Sequence, residues 1–380
     1  MQTLRKVLLC AHLAVFSAMA QNVTVFASDL QKPTRLVFTP QGNLLVSEGG
    51  LPEPNTGRVS ILDRGGVRRS LLEGLPTARG YTLSPFGPTG MALDGDTLYL
   101  LIGEGDVEAF PPPNVRLNPD GPSSPIFSTI LKIQFSAEVD RLRGSFRLIS
   151  PDDWALLDGN EVNLENSLGE RAKVQLLTAF RQVVRNVLGG SFSYRQSNPY
   201  GVSLDARNRT LWLTDAGMET VIKVDTITGR YQVQFRFEPF LRSTAAGPVP
   251  VDNVPTSVCL QGDQLLVGLF TASPIPEGEA SIWSIDTRSR AARPTISSLS
   301  GVVDILCGAE GLYVLEGFPN RTPTFSRLSV YQGGSQRILA DVESAAIGAA
   351  MAQDPLSGAI YYARLGFGDA PSEIVRVATR

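Results

Sequence analysis

Three acidic residues close apolar, strand-like phrases of the same form: Glu48 ends LLVSE, Asp215 ends LWLTD and Glu316 ends LYVLE. A hard divalent cation takes several carboxylate and amide oxygens at once. Brought together with Asn198, these acids would form a site for calcium or a similar ion, and such an ion can activate water for hydrolysis of a lactone-like ester. A second phrase recurs as Pro33-Thr34, Pro88-Thr89, Pro199-Tyr200 and Pro255-Thr256, and it supplies hydroxyls for a polar ligand. Arg35, Asp304 and Arg364 add charges at related places in the chain.

Other chemistry is excluded early. The chain has 380 residues and a single histidine, His12. His12 lies in an N-terminal stretch where Arg5 and Lys6 precede an apolar run from Val7 to Ala18 and the triplet Ala18-Met19-Ala20. This pattern reads as a signal peptide over residues 1–20, too short in its apolar part for the roughly 20 residues of a membrane span. Cleavage after Ala20 leaves residues 21–380, takes the net charge from −3 to −5 with the loss of Arg5 and Lys6, and removes His12 and Cys10. A mature chain without histidine cannot run a Ser-His-Asp or Cys-His hydrolase, nor ligate zinc through imidazole. No basic stripe for nucleic acid is present either. Cys259 and Cys307 remain, each inside an apolar run. They read first as two buried small hydrophobes, with a disulfide of an exported protein as the alternative.

The elements that must position these residues come from an internal repeat. With 36 glycines and 26 prolines, the chain is rich in turns. A turn, an apolar strand, a Gly/Asp turn and a second apolar strand recur six times, starting at Pro33, Pro88, Pro199, Pro255, Val302 and Ala346. A third strand follows in each repeat, as in GRVSILD at 57, TVIKVDT at 220 and SIWSIDT at 281. A fourth follows in all but the last: VRRSLLE, FRLIS, RYQVQFRF, RPTISS and SQRILA. Four strands in roughly 45 residues is the pattern of a propeller blade. The expected fold is therefore all-β: a six-bladed β-propeller of four-stranded blades, in which VTVFAS at 23–28 supplies the missing outer strand of the last blade and closes the ring.

Calling the strands a to d from the axis outward, the d-to-a and b-to-c connections share one face, here the top. Most of the length and proline lies there, including insertions at 106–127 and 152–196. Long loops on a rigid scaffold are where binding concentrates. Within the second insertion, Ser167 and Glu170 match a capping box, and Val174, Leu177, Phe180, Val184 and Leu188 recur at helical spacing. This predicts a docked helix, with Trp154 packed beneath it. The phasing puts Thr34, Thr89, Tyr200, Thr256, Val303 and Ile347 in one ring at the channel mouth. It puts Glu48, Ile102, Asp215, Leu269, Glu316 and Arg364 in the next. The acids either face a ligand or hold backbone N–H groups of nearby turns. Arg35 and Asp304, in blades flanking the sixth, are placed to pair across the mouth.

The phrases SNPYGVSLD at 197–205 and VPTSVCLQGDQLLVGLFTASPIPEGEASIWSID at 254–286 resemble the ScyD/ScyE family of exported, NHL-like β-propellers. KPTRLVFTPQGNLLVSEGG and GVVDILCGAEGLYVLEG are similar to its pattern as well, whereas residues 106–196 depart from it. Arg35 and Asp304 stand where the family usually has the glycine of a Pro-x-Gly turn. The resemblance implies an extracytoplasmic propeller and imports no catalytic residue. Six-bladed quinoprotein sugar dehydrogenases share the architecture but use a catalytic histidine.

The sequence thus reads as a secreted or periplasmic, monomeric binding module with no cofactor, no nucleic-acid partner and no membrane span. Its top face would take a small molecule, glycan or protein. The candidate binding residues are Arg35, Glu48, Thr89, Asn198, Tyr200, Asp215, Thr256, Asp304, Glu316 and Arg364, and no catalytic residue or metal ligand is assigned. The alternative is a calcium-assisted, lactonase-like hydrolase on Glu48, Asn198, Asp215 and Glu316.

Overall fold

A computed structural model of the chain describes residues 23–379 except 80–84, 107, 110–115, 119–120, 181–182, 189–190, 245–246, 273–275, 318–324, 344–345 and 367–371. The expected signal peptide lies outside the described residues.

Six antiparallel sheets follow one another along the chain, each running a-b-c-d outward. The inner strands are Pro33–Phe38, Pro88–Asp94, Pro199–Asp205, Asn253–Gln261, Val302–Gly308 and Ala346–Gln353. Each inner strand neighbours the next and the sixth neighbours the first, so the ring is closed. The last blade takes its outer strand from the other end of the chain. Val23–Leu30 pairs antiparallel with Ser372–Val377, with Val23 opposite Val377 and Val25 opposite Val375. A propeller open at this point would expose two bare sheet edges.

The apolar side chains form six separate clusters, each lying between two neighbouring blades. Leu36, Leu44 and Val46 of blade 1 meet Ala349, Ala352 and Tyr361 of blade 6. Trp212 and Val221 of blade 3 meet Val258, Leu265 and Val267 of blade 4. Both faces of a blade's second strand are therefore covered, which is why Leu44–Glu48 is buried along its whole length while the outer strand Tyr231–Arg236 is largely exposed. No blade can bury its faces alone. Its stability depends on both neighbours.

Cys259 and Cys307 form a disulfide between the inner strands of blades 4 and 5, with Cα atoms 5.9 Å apart. This corrects the reading of two unbonded small hydrophobes favoured by their sequence context: the two strands are neighbours in the ring and bring the sulfurs together.

Blade 2 departs from the sequence expectation. Its fourth strand is Arg171–Ala179, where a helix was expected, and Phe146–Arg147 instead lies parallel to the outer strand of blade 1. The burial of Ala172, Val174 and Thr178 follows the two-residue period of a strand. The helical spacing joined Val174 from this buried set to Leu177, which lies on the other face of the strand. Ser167 and Glu170 do not cap a helix. They sit in a turn where Asn166 Oδ1 accepts the N–H groups of Leu168 and Glu170. The segment from 136 to 170 climbs the outer edge of blade 1 and crosses the rim as helix α1 (Ser150–Leu157). It then descends as Val162–Glu165 on the edge of Arg171–Ala179. Only the remainder of the expected insertion, the hairpin Val183–Leu188 with Ser191–Gln196, belongs to a d-to-a connection on the top face. Trp154 lies on α1, 58% exposed, and covers nothing. The buried residues of α1 are Leu156, which joins the core between blades 1 and 2, and Asp153, whose carboxylate accepts a hydrogen bond from Ser124 Oγ at 2.7 Å.

Two outcomes follow from these contacts. Replacing Cys259 and Cys307 by serine, or reducing the bridge, should lower stability by about 4 kcal/mol on the loop-closure model. The comparison is a urea titration with and without reductant, and coincident curves would show that the bridge constrains nothing. Burial pushes the Asp153 carboxyl up to about 6, with Ser124 opposing and Asp152 reinforcing the rise. Its folded pKa exceeds the unfolded one, so its contribution is complete below the ordinary value of 3.8 and is lost as pH rises to about 6. Asp153→Asn should therefore gain on the wild type between pH 4 and pH 7 in urea midpoint, and a gap that narrows across this window would reverse the assignment.

Candidate functional site at the channel mouth

In all six blades the a-to-b pairing slips register near the start of the inner strand, between Pro33 and Arg35, Pro88 and Met91, Pro199 and Val202, Pro255 and Ser257, Val302 and Asp304, and Gly348 and Met351. A bulge of this kind re-aims side chains locally. In three blades it turns a threonine toward the next blade. Thr34 Oγ1 donates to the carbonyl of Pro88 at 2.7 Å, Thr89 Oγ1 to that of Pro199 at 2.6 Å, and Thr256 Oγ1 to that of Val302 at 2.8 Å. Thr89 and Thr256, read from sequence as binding candidates, thus tie inner strands together around the ring.

The following residue explains why this level is narrow. At Gly90 a Cβ atom would stand 2.3 Å from the Tyr200 carbonyl oxygen, and at Gly201 one would stand 2.6 Å from that of Thr256. Neither position has room for a side chain. Blades 1 and 5 place Arg35 and Asp304 at this same level. Arg35 Nη1 donates to Asp304 Oδ1 at 2.9 Å and to Oδ2 at 3.0 Å. The pairing expected from phasing is present, and it reaches past blade 6. Asp304 also accepts the N–H of Met351 in blade 6 at 2.8 Å and that of Ile305 at 3.0 Å. Arg35 is 9% exposed and Asp304 1%. Burial pushes the Asp304 carboxyl up, and Arg35 and the two backbone donors pull it back. The charges of the same pair act on Tyr200. Burial raises its hydroxyl pKa, Arg35 opposes the rise and Asp304 adds to it.

The second ring is bonded into the scaffold. Glu48 accepts from Gln31 N at 2.6 Å, Arg58 Nε at 2.8 Å, Arg58 Nη2 at 2.7 Å and Ser60 Oγ at 2.5 Å. Asp215 accepts from Ser197 Oγ at 2.5 Å and from the N–H groups of Asn198, Gly217 and Met218 at 2.8 to 3.1 Å. Glu316 accepts from Ser300 N at 2.9 Å. Burial raises the Asp215 and Glu316 carboxyls, and their hydrogen bonds counter it. Asp215 holds the turn after it, as the second sequence reading expected, whereas Glu48 and Glu316 hold the connection before the inner strand. Arg364 pairs with Glu373. Asn198 Oδ1 accepts from Glu104 N at 3.2 Å. Each acid is engaged within its own blade and connections, and the described residues contain no cluster of three His, Cys, Asp or Glu side chains fit to hold a metal ion.

The partners Arg58, Ser60, Ser197 and Glu373 were not singled out from the sequence, although a signal existed. In the b-to-c register Glu48 opposes Arg58, Glu316 opposes Arg327 and Arg364 opposes Glu373. Counting back from each b-to-c loop would have found the three opposite-charge pairs.

No protein-family model and no curated protein matches the chain. Solved structures do match in fold. A protein from Thermus thermophilus, titled a putative oxidoreductase of the glucose dehydrogenase type, superposes with a TM-score of 0.50 at 12% identity, covering 93% of this chain and 99% of that one. The soluble aldose sugar dehydrogenase of Escherichia coli in its apo-form gives 0.51 at 12% identity, over 94% and 99%. A structural-genomics protein of unknown function from Bacteroides thetaiotaomicron gives 0.51 at 10% identity, over 93% and 76%. At such identity the likeness establishes the class, a six-bladed β-propeller.

The buried pair makes a sharp energetic prediction. Arg35→Met and Asp304→Asn should each destabilise by roughly 3 to 5 kcal/mol, because each strands the other group. The double variant Arg35→Met/Asp304→Asn should recover most of that loss. Additive losses in the double-mutant cycle, read by chemical denaturation, would mean that the two groups are not coupled.

Proposed function

We propose that this protein is an extracytoplasmic binding module of the ScyD/ScyE kind, a monomer that takes a small molecule, glycan or protein on its top face. The observation that carries this reading is the placement of accessory structure. Among the described residues, four two-stranded hairpins decorate the ring: Ala78–Arg79 with Pro85–Phe86, Glu108–Ala109 with Arg116–Leu117, Val183–Leu188 with Ser191–Gln196, and Phe240–Thr244 with Gly247–Val251. All four lie in d-to-a or b-to-c connections and so rise from the same face. The disulfide fits an oxidising compartment, and the described residues contain no helix long and apolar enough to cross a membrane. The phrases SNPYGVSLD and VPTSVCLQGDQLLVGLF support the family reading.

The hydrolase reading is less well supported, because Glu48 and Asp215 have both carboxylate oxygens, and Glu316 one, engaged by separate backbone and side-chain donors. An anionic quinone cofactor, as in the sugar dehydrogenases of similar shape, would need free cations. Arg35, Arg58 and Arg364 at the mouth are bonded to Asp304, Glu48 and Glu373. These residues do not fit such a group, and no step is derived through it.

Two measurements test the proposal. Millimolar calcium should leave the melting temperature where sodium chloride of equal ionic strength leaves it, whereas a saturable rise would restore the cation-dependent hydrolase. Cutting the Phe240–Val251 hairpin to a tight turn should preserve the circular dichroism spectrum and remove retention on a glycan array or of an envelope component. Equal retention by both proteins would move binding off this face.

A further inference from the structure

Blade 2 carries a fifth strand that the repeat does not call for, Val162–Glu165 on the outside of Arg171–Ala179. Val162 and Leu164 of this strand turn to the core, whereas Asn163 and Glu165 are exposed on its other face. That face is polar across three strands. Gln134 stands opposite Lys173 and Lys173 opposite Asn163, and in the next row Lys132 stands opposite Gln175, whose amide donates to Glu161. A cavity of about 470 Å³ opens over the first row, lined also by Arg171 and Glu165. A second, of about 250 Å³, opens over Lys132, Gln175 and Glu161 and is walled by Asn160 and by Ile227 and Thr228 of blade 3. Side chains two apart on a strand share a face, so the cavities are successive stretches of one cleft, and the larger alone has the size of a small-molecule site.

Charge in the cleft is not balanced. Lys173 pairs with Glu161 at 3.4 Å and Arg171 with Glu165 at 3.0 Å. Lys132 is half-buried and meets no carboxylate among the described residues; its ammonium donates to the Thr226 carbonyl at 3.4 Å. We propose that this cleft binds an acidic sugar, a ring with one carboxylate and several hydroxyls, placing the carboxylate on Lys132 and the hydroxyls on the amides of Gln134 and Asn163. One uncompensated cation calls for one anion, and the bond it makes is charge-assisted. A densely charged phosphate or sulfate polymer would need more cations than this. The two amides make no side-chain hydrogen bond among the described residues, and each offers a donor beside an acceptor, as neighbouring hydroxyls require. The third strand of blade 2 runs down from the top face, so the cleft lies on the lower outer flank of the ring and is separate from the top-face hairpins.

Glucuronate, glucose and acetate test it, because they separate the charge from the hydroxyls. The lysines of the chain are Lys6, Lys32, Lys132, Lys173 and Lys223, so NMR of the protein labelled at the lysine ε-carbon gives few signals, and that of Lys132 is the one lost in Lys132→Gln. At low ionic strength, millimolar glucuronate should shift the Lys132 and Lys173 signals saturably. Glucose and acetate should each bind about tenfold more weakly, one for want of the charge and the other for want of the hydroxyls. Lys132→Gln, followed at Lys173, should bring glucuronate down to the affinity of glucose. Asn163→Ala, at an exposed position, should cost glucuronate about fivefold and leave acetate unchanged. A linear shift, glucose binding as tightly as glucuronate, or an Asn163→Ala protein that binds glucuronate like the wild type would overturn the proposal. Acetate equal to glucuronate would mean an adventitious ion only and would overturn it as well. The protein with the Phe240–Val251 hairpin cut should keep the full response, and loss of the response there would refute a site separate from the top face.

Discussion

The ring must close, and closure concentrates on blade 6, the blade assembled from both ends of the chain. Its outer strand comes from residues 23–30 and its inner three from 346–377. Any fraying there exposes the clusters it shares with blades 5 and 1. The Arg35–Asp304 bond spans this blade on the axis side and ties its two neighbours together, while Asp304 also holds the Met351 N–H of blade 6 itself. One buried pair thus acts on three consecutive blades at the ring's seam. A buried pair is seldom a large net stabiliser relative to apolar residues of the same volume. Its value here is geometric: two charges that must meet allow one arrangement of blades 5, 6 and 1.

Around the rest of the ring the same task falls to smaller devices. Threonine hydroxyls bridge blades 1 to 2, 2 to 3 and 4 to 5, and the disulfide bridges 4 to 5 near the far end of the inner strands. Between blades 3 and 4 there is no threonine, and Gly201 lets the backbones approach instead. The acids of the second ring brace connections, so the rigid floor under the top-face hairpins is built from groups that look catalytic in isolation.

Much of the fold was legible because strand pairs and turns recur. Six copies of one phrase predict six blades, and the N-terminal strand was assignable to blade 6 because only that blade lacked a fourth strand. Blade 2 was misread where its connection breaks the recurrence. Residues 171–179 carry apolar side chains on both faces, so that Ala172, Val174 and Leu176 give a period of two while Val174 and Leu177 give a sparse helical spacing, and no neighbouring copy decides between them. At the site, the Arg35–Asp304 pairing was legible from phasing. The fate of the acids was not, since a carboxylate at the end of a strand looks the same whether it faces a ligand or a backbone N–H.

By itself the sequence determined the repeat, the number of blades, the seam at the termini and the level of the channel at which charge is placed. All of these follow from order along the chain. Tertiary structure alone decided whether Cys259 meets Cys307, which donors occupy Glu48, Asp215 and Glu316, and where the long connection of blade 2 runs. The physical reason is that these outcomes depend on contacts between blades and across the rim, where residues far apart in sequence compete for the same few hydrogen-bonding groups. Local propensity and spacing carry no record of that competition.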